Sequence, residues 1–445
     1  MFRRLSALCS KRRKAVAFLA LATASALVLQ SVQAAPLNAD GVVQEALLRN
    51  HDIKAARAQV NAALGRLKQA GLWPNPRLEL NNNTDRPFAN EGEYSYSAGV
   101  SQDFPISGRL GRAEDVARVD IARALVEVNE AERKLAGDVA SAFYEVASID
   151  QKLVLRDRLI RSMEVLATAT KDRYRAGEVS ELDVNAAALE LLRLKQERTT
   201  LAGDRAAAIR TLAGLVGLGA DDNLTLTADL PVRKVLLPTA QLIAQAIERR
   251  PDLRLLSLSV DRAQAERALA AASVWEDWTV SLAVQRDKAV IDGTPPQPVG
   301  DSLMLTLAIP LPLFNQNEGS KAVAEAEATV AREQHTALSQ RIENEVAGLR
   351  ERVERLLDAV DAYEKQGLPL SRKSSEVARD AYQKGQISIL EVVQAERQES
   401  EIGNSYAEAL AQYLKAMTQL DAAIVAWAEL MTHPVEAVVA TEGES

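Results

Sequence analysis

By residue type and spacing, two carboxylates are the first candidates for chemistry. Asp183 follows Ser180 by three residues in Tyr174-Arg175-Ala176-Gly177-Glu178-Val179-Ser180-Glu181-Leu182-Asp183. Glu391 follows Ser388 by three in Tyr382-Gln383-Lys384-Gly385-Gln386-Ile387-Ser388-Ile389-Leu390-Glu391. A serine with a carboxylate three residues on is the pattern of a capping box. The hydroxyl accepts one free N–H of a new helix, and the carboxylate reaches back to another. The glycine ahead of each serine is a helix stop. The chemistry expected of this pair is therefore hydrogen bonding to backbone. His51, His335 and His433 lie far apart and lack the neighbour spacing of metal ligands. No glycine-rich phosphate loop or nucleophile elbow stands out. The reading is of a protein that is not an enzyme and holds no cofactor or metal.

Each stretch follows one long helical pattern and precedes another, so each reads as the tip of a long helical hairpin. The recurrence about two hundred residues later makes the chain a tandem repeat. Residues 112–176 carry Ile121, Leu125, Val128, Leu135, Val139, Ala142, Val146, Ile149 and Leu153 at heptad spacing. Residues 318–384 repeat it with Ile342, Val346, Leu349, Val353, Leu356, Val360 and Tyr363. Each helix is expected to run roughly 100 Å, and Pro369 after Gly367 to kink the second. Asp40 is expected to cap a helix over 40–72, which Trp73-Pro74-Asn75-Pro76 stops. Helices over 180–217 and 239–274 are expected to lie end to end, and the helix over 388–430 to be completed by the N-terminal one.

Between the helices, alternating residues predict two β-hairpins. Leu78 and Leu80, then Tyr94, Tyr96, Ala98, Val100 and Phe104, give apolar faces in the first. Trp278, Val280, Leu282 and Val284, then Leu303, Leu305, Leu307 and Ile309, give them in the second. The connecting loops are expected at about 83–92 and 286–300. Strand length and alternation fit an outer-membrane barrel, and also an ordinary sheet packed on helices.

Scarce aromatics (4%) and many charged residues (26%) suit long packed helices more than a compact α/β enzyme. Residues 1–34 read as a signal peptide: a basic region, the apolar run Ala15 to Leu29, and Val32-Gln33-Ala34 as cleavage site, with an uncleaved anchor as the alternative. Its loss removes six basic residues and no acidic ones, taking the formal charge from −8 to −14, which argues against nucleic acid. The sole cysteine, Cys9, precedes the apolar run, so no lipid anchor is expected. The remaining division is 35–225 and 226–431 as two repeats of helix, hairpin and long helical hairpin, with 432–445 as a disordered tail.

Four strands cannot close a membrane barrel, and lipid tolerates no open edge, so several chains would have to share one; three would supply twelve strands. The tip motifs, the Pro-Asn-Pro approach to the first strand and the order of elements resemble the TolC-type outer-membrane efflux factor family. Ala70–Leu80 and Gln102–Arg109 look closest to its CzcC-like heavy-metal branch. The resemblance implies a mostly α fold: a long coiled-coil α-barrel beneath a twelve-stranded membrane β-barrel, made by a homotrimer. It implies docking on a periplasmic adaptor and an inner-membrane pump of the resistance-nodulation-division type, in the outer membrane with a long periplasmic extension. It places Tyr174, Gly177, Tyr382 and Gly385 at adaptor-docking tips and Asp183 and Glu391 near the periplasmic aperture. Rings of three acids there would favour cations; the plain alternative is that both are caps and both tyrosines are packing. An outer-membrane factor for drug efflux or protein secretion would share the fold. A periplasmic coiled-coil scaffold is the alternative of another class.

Overall fold

The computed structural model describes residues 37–85, 92–219, 222, 224–227, 236–289 and 297–427. The expected signal peptide, the expected C-terminal tail and His433 therefore lie outside the described residues. In chain order the elements are α1 (Ala39–Arg49), α2 (His51–Ala70), β1 (Arg77–Thr84), β2 (Tyr94–Phe104), α3 (Arg109–Arg175) and α4 (Glu181–Val216). There follow α5 (Thr239–Arg249), α6 (Pro251–Ala272), β3 (Trp278–Ala289), β4 (Gln297–Ala308), α7 (Glu318–Ala362), a π-helical turn (Tyr363–Gly367), α8 (Leu368–Gln383) and α9 (Ile389–Ala423).

The expected long helices form. At 67 residues α3 is about 100 Å long. Ile121, Val128, Leu135, Val139, Val146 and Ile149 of its seam are buried, as are Ile342, Val346, Val353 and Val360 of α7. Pro369 offers no N–H to the turn before it. The chain meets this with the π-helical turn, in which the Leu368 N–H donates to the Tyr363 carbonyl five residues back.

The N-terminal helix is two helices, and its cap is Asn38, whose side chain accepts from the Gly41 N–H at 2.9 Å; Asp40 lies inside the first turn. The break falls at Asn50. Its Oδ1 accepts from the N–H groups of Asp52 (2.7 Å) and Ile53 (3.2 Å), and its Nδ2 donates to the Leu215 carbonyl (2.8 Å). One side chain thus caps the start of α2 and satisfies the end of α4, splicing the two end to end. Gly217 ends α4 at φ +85°, and a Cβ there would stand 3.0 Å from the Arg49 carbonyl oxygen.

This splice corrects the expected pairing of helices. The stack of α4 and α2, rather than of 180–217 with 239–274, runs along one side of α3. On its other side α3 meets α9 and α6, which also run along α7. Leu242, Ala246 and Leu253 share a core with Tyr413, Leu414, Met417 and Leu420, so α9 is continued by the α5–α6 arm. The N-terminal helix does not complete it, although Val425, just past α9, reaches the core around Val42 and Leu47. Four buried clusters are strung along these columns, as a rod-shaped packing requires.

The strands form one antiparallel sheet in the order β1-β2-β3-β4. They run past the expected loops, β1 to Thr84 and β3 to Ala289, with β4 starting at Gln297. Register sorts the two faces. Rows such as Leu78–Val100–Leu282–Leu305 and Leu80–Ala98–Val284–Leu303 make one face apolar. Rows such as Asn81–Ser97–Gln285–Ser302 and Arg77–Ser101–Ser281–Thr306 make the other polar. Gly99 sits where β2 and β3 touch: a Cβ would stand 2.5 Å from that of Ala283 and 2.7 Å from the Leu282 oxygen. Gly99→Val should therefore force the strands apart and destabilise the sheet by about 1–3 kcal/mol. Pulse proteolysis of the folded protein should show faster cleavage in the strands, with the helices still protected.

Candidate functional site

Two regions can act on something outside the chain: the helical tips and the sheet. The tips are alike in backbone. Gly177 (φ +77°) and Gly385 (φ +72°) take the left-handed conformation that closes a helix. In each tip the glycine N–H bonds the tyrosine carbonyl at 2.9 Å, Gly177 to Tyr174 and Gly385 to Tyr382. Both capping boxes form. The Ser180 N–H donates to Asp183 Oδ2 at 2.9 Å, and the Ser388 N–H to Glu391 Oε2 at 3.2 Å.

The side chains of the tips differ. Tyr174 is 43% exposed, whereas Tyr382 is 2% exposed. The Tyr382 hydroxyl lies 3.0 Å from Thr170 Oγ1, and the Arg173 guanidinium stacks 4.9 Å over its ring while donating to its carbonyl at 2.9 Å. Tyr382 therefore holds the second tip against the first, and its ring presents no surface for a partner in the single chain. Glu391 is exposed and Asp183 half-buried.

Roughly 8 to 20 residues above the tips lies a feature that the sequence reading missed. Arg156, Glu190, Glu396, Glu399 and Ser400 are buried between α3, α4, α8 and α9. Arg156 donates to Ser400 Oγ and pairs with Glu197, both at 2.8 Å. Glu190 accepts from Arg397 at 2.7 Å and from Arg193. Glu396 accepts from Ser162 at 3.0 Å and faces Arg379, and Glu399 accepts from Arg158 and Ser375. Burial pushes the Glu396 carboxyl up and the Arg156 guanidinium down from their ordinary values. Burial also pushes Glu190 up, but hydrogen bonds and charge from Arg193 and Arg397 outweigh it and leave its carboxyl below the usual range. The signal was present: Arg156 continues the seam Val146, Ile149, Leu153, and Glu190 falls between Ala187 and Leu194. Charges in phase with an apolar stripe mark a buried network rather than a solvated face.

Among the described residues no cluster of three His, Cys, Asp or Glu could hold a metal, and no helix is long and apolar enough to cross a membrane. The apolar face of the sheet is different. Leu78, Leu80, Leu303 and Leu305 are each 70–72% exposed, and among the described residues no helix packs on that face and neither β1 nor β4 has an outer neighbour. An apolar face, a polar face, open edges and a helix of about 100 Å are the features of a wall element.

That architecture is the one seen in outer-membrane channels. The structure of CusC, described as a transmembrane channel, superposes with a TM-score of 0.69 at 18% identity over 89% of this chain and 95% of that one. The outer membrane protein VceC of Vibrio cholerae gives 0.64 at 18% identity, over 87% and 95%. The model of the outer membrane efflux protein family matches residues 42–218 and 242–425, and the chain belongs to that family. It is similar to the cobalt-zinc-cadmium resistance protein CzcC of Cupriavidus metallidurans, 22% identical over 401 residues, 87% of this chain and 90% of that protein. It is also similar to the pyoverdine export outer membrane protein OpmQ of Pseudomonas aeruginosa, 24% identical over 388 residues, 80% and 78% of the two. The family is one of conduits, and the expected resemblance to it holds.

Proposed function

We propose that this chain is one third of an outer-membrane channel that passes divalent metal cations out of the periplasm. The observation that carries the reading is the open-edged sheet with its apolar rows outward. Three copies would join β1 to β4 of the next chain and close a twelve-stranded barrel, removing the edges that lipid forbids. The helices would continue it as a periplasmic tube, with each chain supplying two tandem repeats. The tube would dock, through tips that include Tyr174, Gly177 and Gly385, on a periplasmic adaptor and an inner-membrane pump of the resistance-nodulation-division type. Similarity to a cobalt-zinc-cadmium resistance protein over nearly the whole chain supports metal cargo. Comparable similarity to a pyoverdine exporter supports a second reading, an organic cargo on the same fold. Growth of a deletion strain separates them: sensitivity confined to zinc, cobalt, cadmium or nickel fits metal efflux, and sensitivity to organic compounds alone rejects it. The periplasmic scaffold would leave the apolar rows in water, a patch far larger than soluble surfaces carry.

Asp183 and Glu391 would line the periplasmic aperture as rings of acids while serving their caps. Replacing both with Ala should raise single-channel conductance in planar bilayers and lower the preference for cations. Unchanged conductance and selectivity would leave them as caps alone. Losing a capping side chain weakens a helix start by about 1 kcal/mol, so the variants should still fold.

A further inference from the structure

The apolar outer face does not stop where β4 stops. The ladder ends at Ala308, opposite Thr279. The alternation Leu303, Leu305, Leu307, Ile309 continues through Leu311 and Leu313, both well exposed, to Phe314, which is 100% exposed. From Ser302 to Asn317 the chain carries no charged residue.

Unpaired backbone is the usual objection to a non-strand segment in lipid, because each bare N–H there is costly. Here Pro310 and Pro312 have no N–H, and the Leu313 N–H is spent on the Leu311 carbonyl at 2.8 Å. The exit of β2 is built the same way, with the Ile106 N–H donating to the Phe104 carbonyl at 2.9 Å around Pro105. At this end of the sheet Trp73 stacks edge-on against Phe104, and Trp275 lies half-exposed just ahead of β3. Amphipathic aromatics of this kind gather where membrane meets water.

We propose that Ile309–Phe314 is a membrane strap. It extends the lipid-facing surface beyond the barrel ladder and seats Leu311, Leu313 and Phe314 among the acyl chains of the periplasmic leaflet. The partner is lipid rather than a second copy, because the segment prolongs the alternation of the outer face, carries no charge, and has prolines without an N–H at two of its six positions. The inference rests on the barrel reading above.

Its test uses single thiols on the full chain, with Cys9 changed to Ser. Phe314→Cys and, separately, Leu313→Cys are labelled with an environment-sensitive fluorophore and placed in phosphatidylcholine vesicles carrying doxyl-labelled lipid. Leu305→Cys reports the sheet face, and Gln386→Cys, at the second tip, reports water. The expected result is blue-shifted emission at 313 and 314, quenched by doxyl lipid to an extent comparable with 305, while 386 responds only to aqueous iodide. Quenching by lipid at 305 but not at 313 or 314 overturns the strap and leaves the barrel standing. Blue-shifted but lipid-insensitive emission at 314 overturns it in favour of a second copy as the cover. Lipid quenching at none of the three sinks both readings.

Discussion

Leu305→Arg should all but abolish assembly in the outer membrane, while Thr306→Arg, one residue on, should leave assembly intact. Leu305 is 72% exposed near the middle of the apolar face, in the row Leu78–Val100–Leu282–Leu305. Thr306 lies on the opposite face beside Ser281. An arginine on the lipid face of a barrel costs about 2–4 kcal/mol near the midplane and far less toward the interfaces. A trimer would carry that penalty three times. A guanidinium at 306 would instead lie on the polar face beside Ser281, where in a closed barrel it should alter ion selectivity. Immunoblots of outer-membrane fractions, with oligomer state in mild detergent, read the difference. Equal recovery of the two variants would mean that lipid does not touch the apolar rows.

The second large effect is expected in the buried network. Glu197→Gln should lower stability by about 1–3 kcal/mol, because it removes the carboxylate paired with the buried Arg156. Arg156 is 3% exposed and donates to Ser400 Oγ at 2.8 Å. Without Glu197 the buried guanidinium keeps only the weaker attraction of Glu190, with little water to replace the loss. Replacing both members, Arg156→Leu with Glu197→Leu, removes the buried charge itself and should restore most of the loss. Thermal melts followed by far-ultraviolet circular dichroism should rank the single variant well below the double one. The reverse order would mean that Glu197 acts through Arg193, to which it also pairs, and not through Arg156.

These outcomes depend on features of unequal visibility in the sequence. Local signals were legible because local physics decides them. Ser180 with Asp183 and Ser388 with Glu391 form the caps their spacing predicts, and Gly177 and Gly385 take the positive φ that only glycine adopts freely. The hairpins and long seams followed from period alone. What was lost needed knowledge of neighbours. Tyr174 and Tyr382 hold the same place in the same motif, yet one faces water and the other lies under Arg173. The end-to-end mate of α4 depends on a hydrogen bond from Asn50 to Leu215, 165 residues away. Asn38 rather than Asp40 is the cap because the helix begins two residues earlier than a cap at Asp40 would allow. Polar and proline-rich composition makes 286–300 read as loop, yet β3 runs to Ala289 and β4 starts at Gln297, and Arg286 pairs with Asp301 across the ladder.

The two long columns differ in mechanical character. Helix α3 runs unbroken from Arg109 to Arg175, so it transmits a push along its axis as a stiff strut. The column of α7 and α8 is jointed at Tyr363–Gly367, where the hydrogen bonds change partner and Gly367 brings no side chain of its own beside Tyr363 and Ile402. Under the same sideways load at the tips, α8 yields before the end of α3 does. Of these two columns, the one built from α7 and α8 is thus the more compliant, at a level well above the tips and clear of the capping boxes.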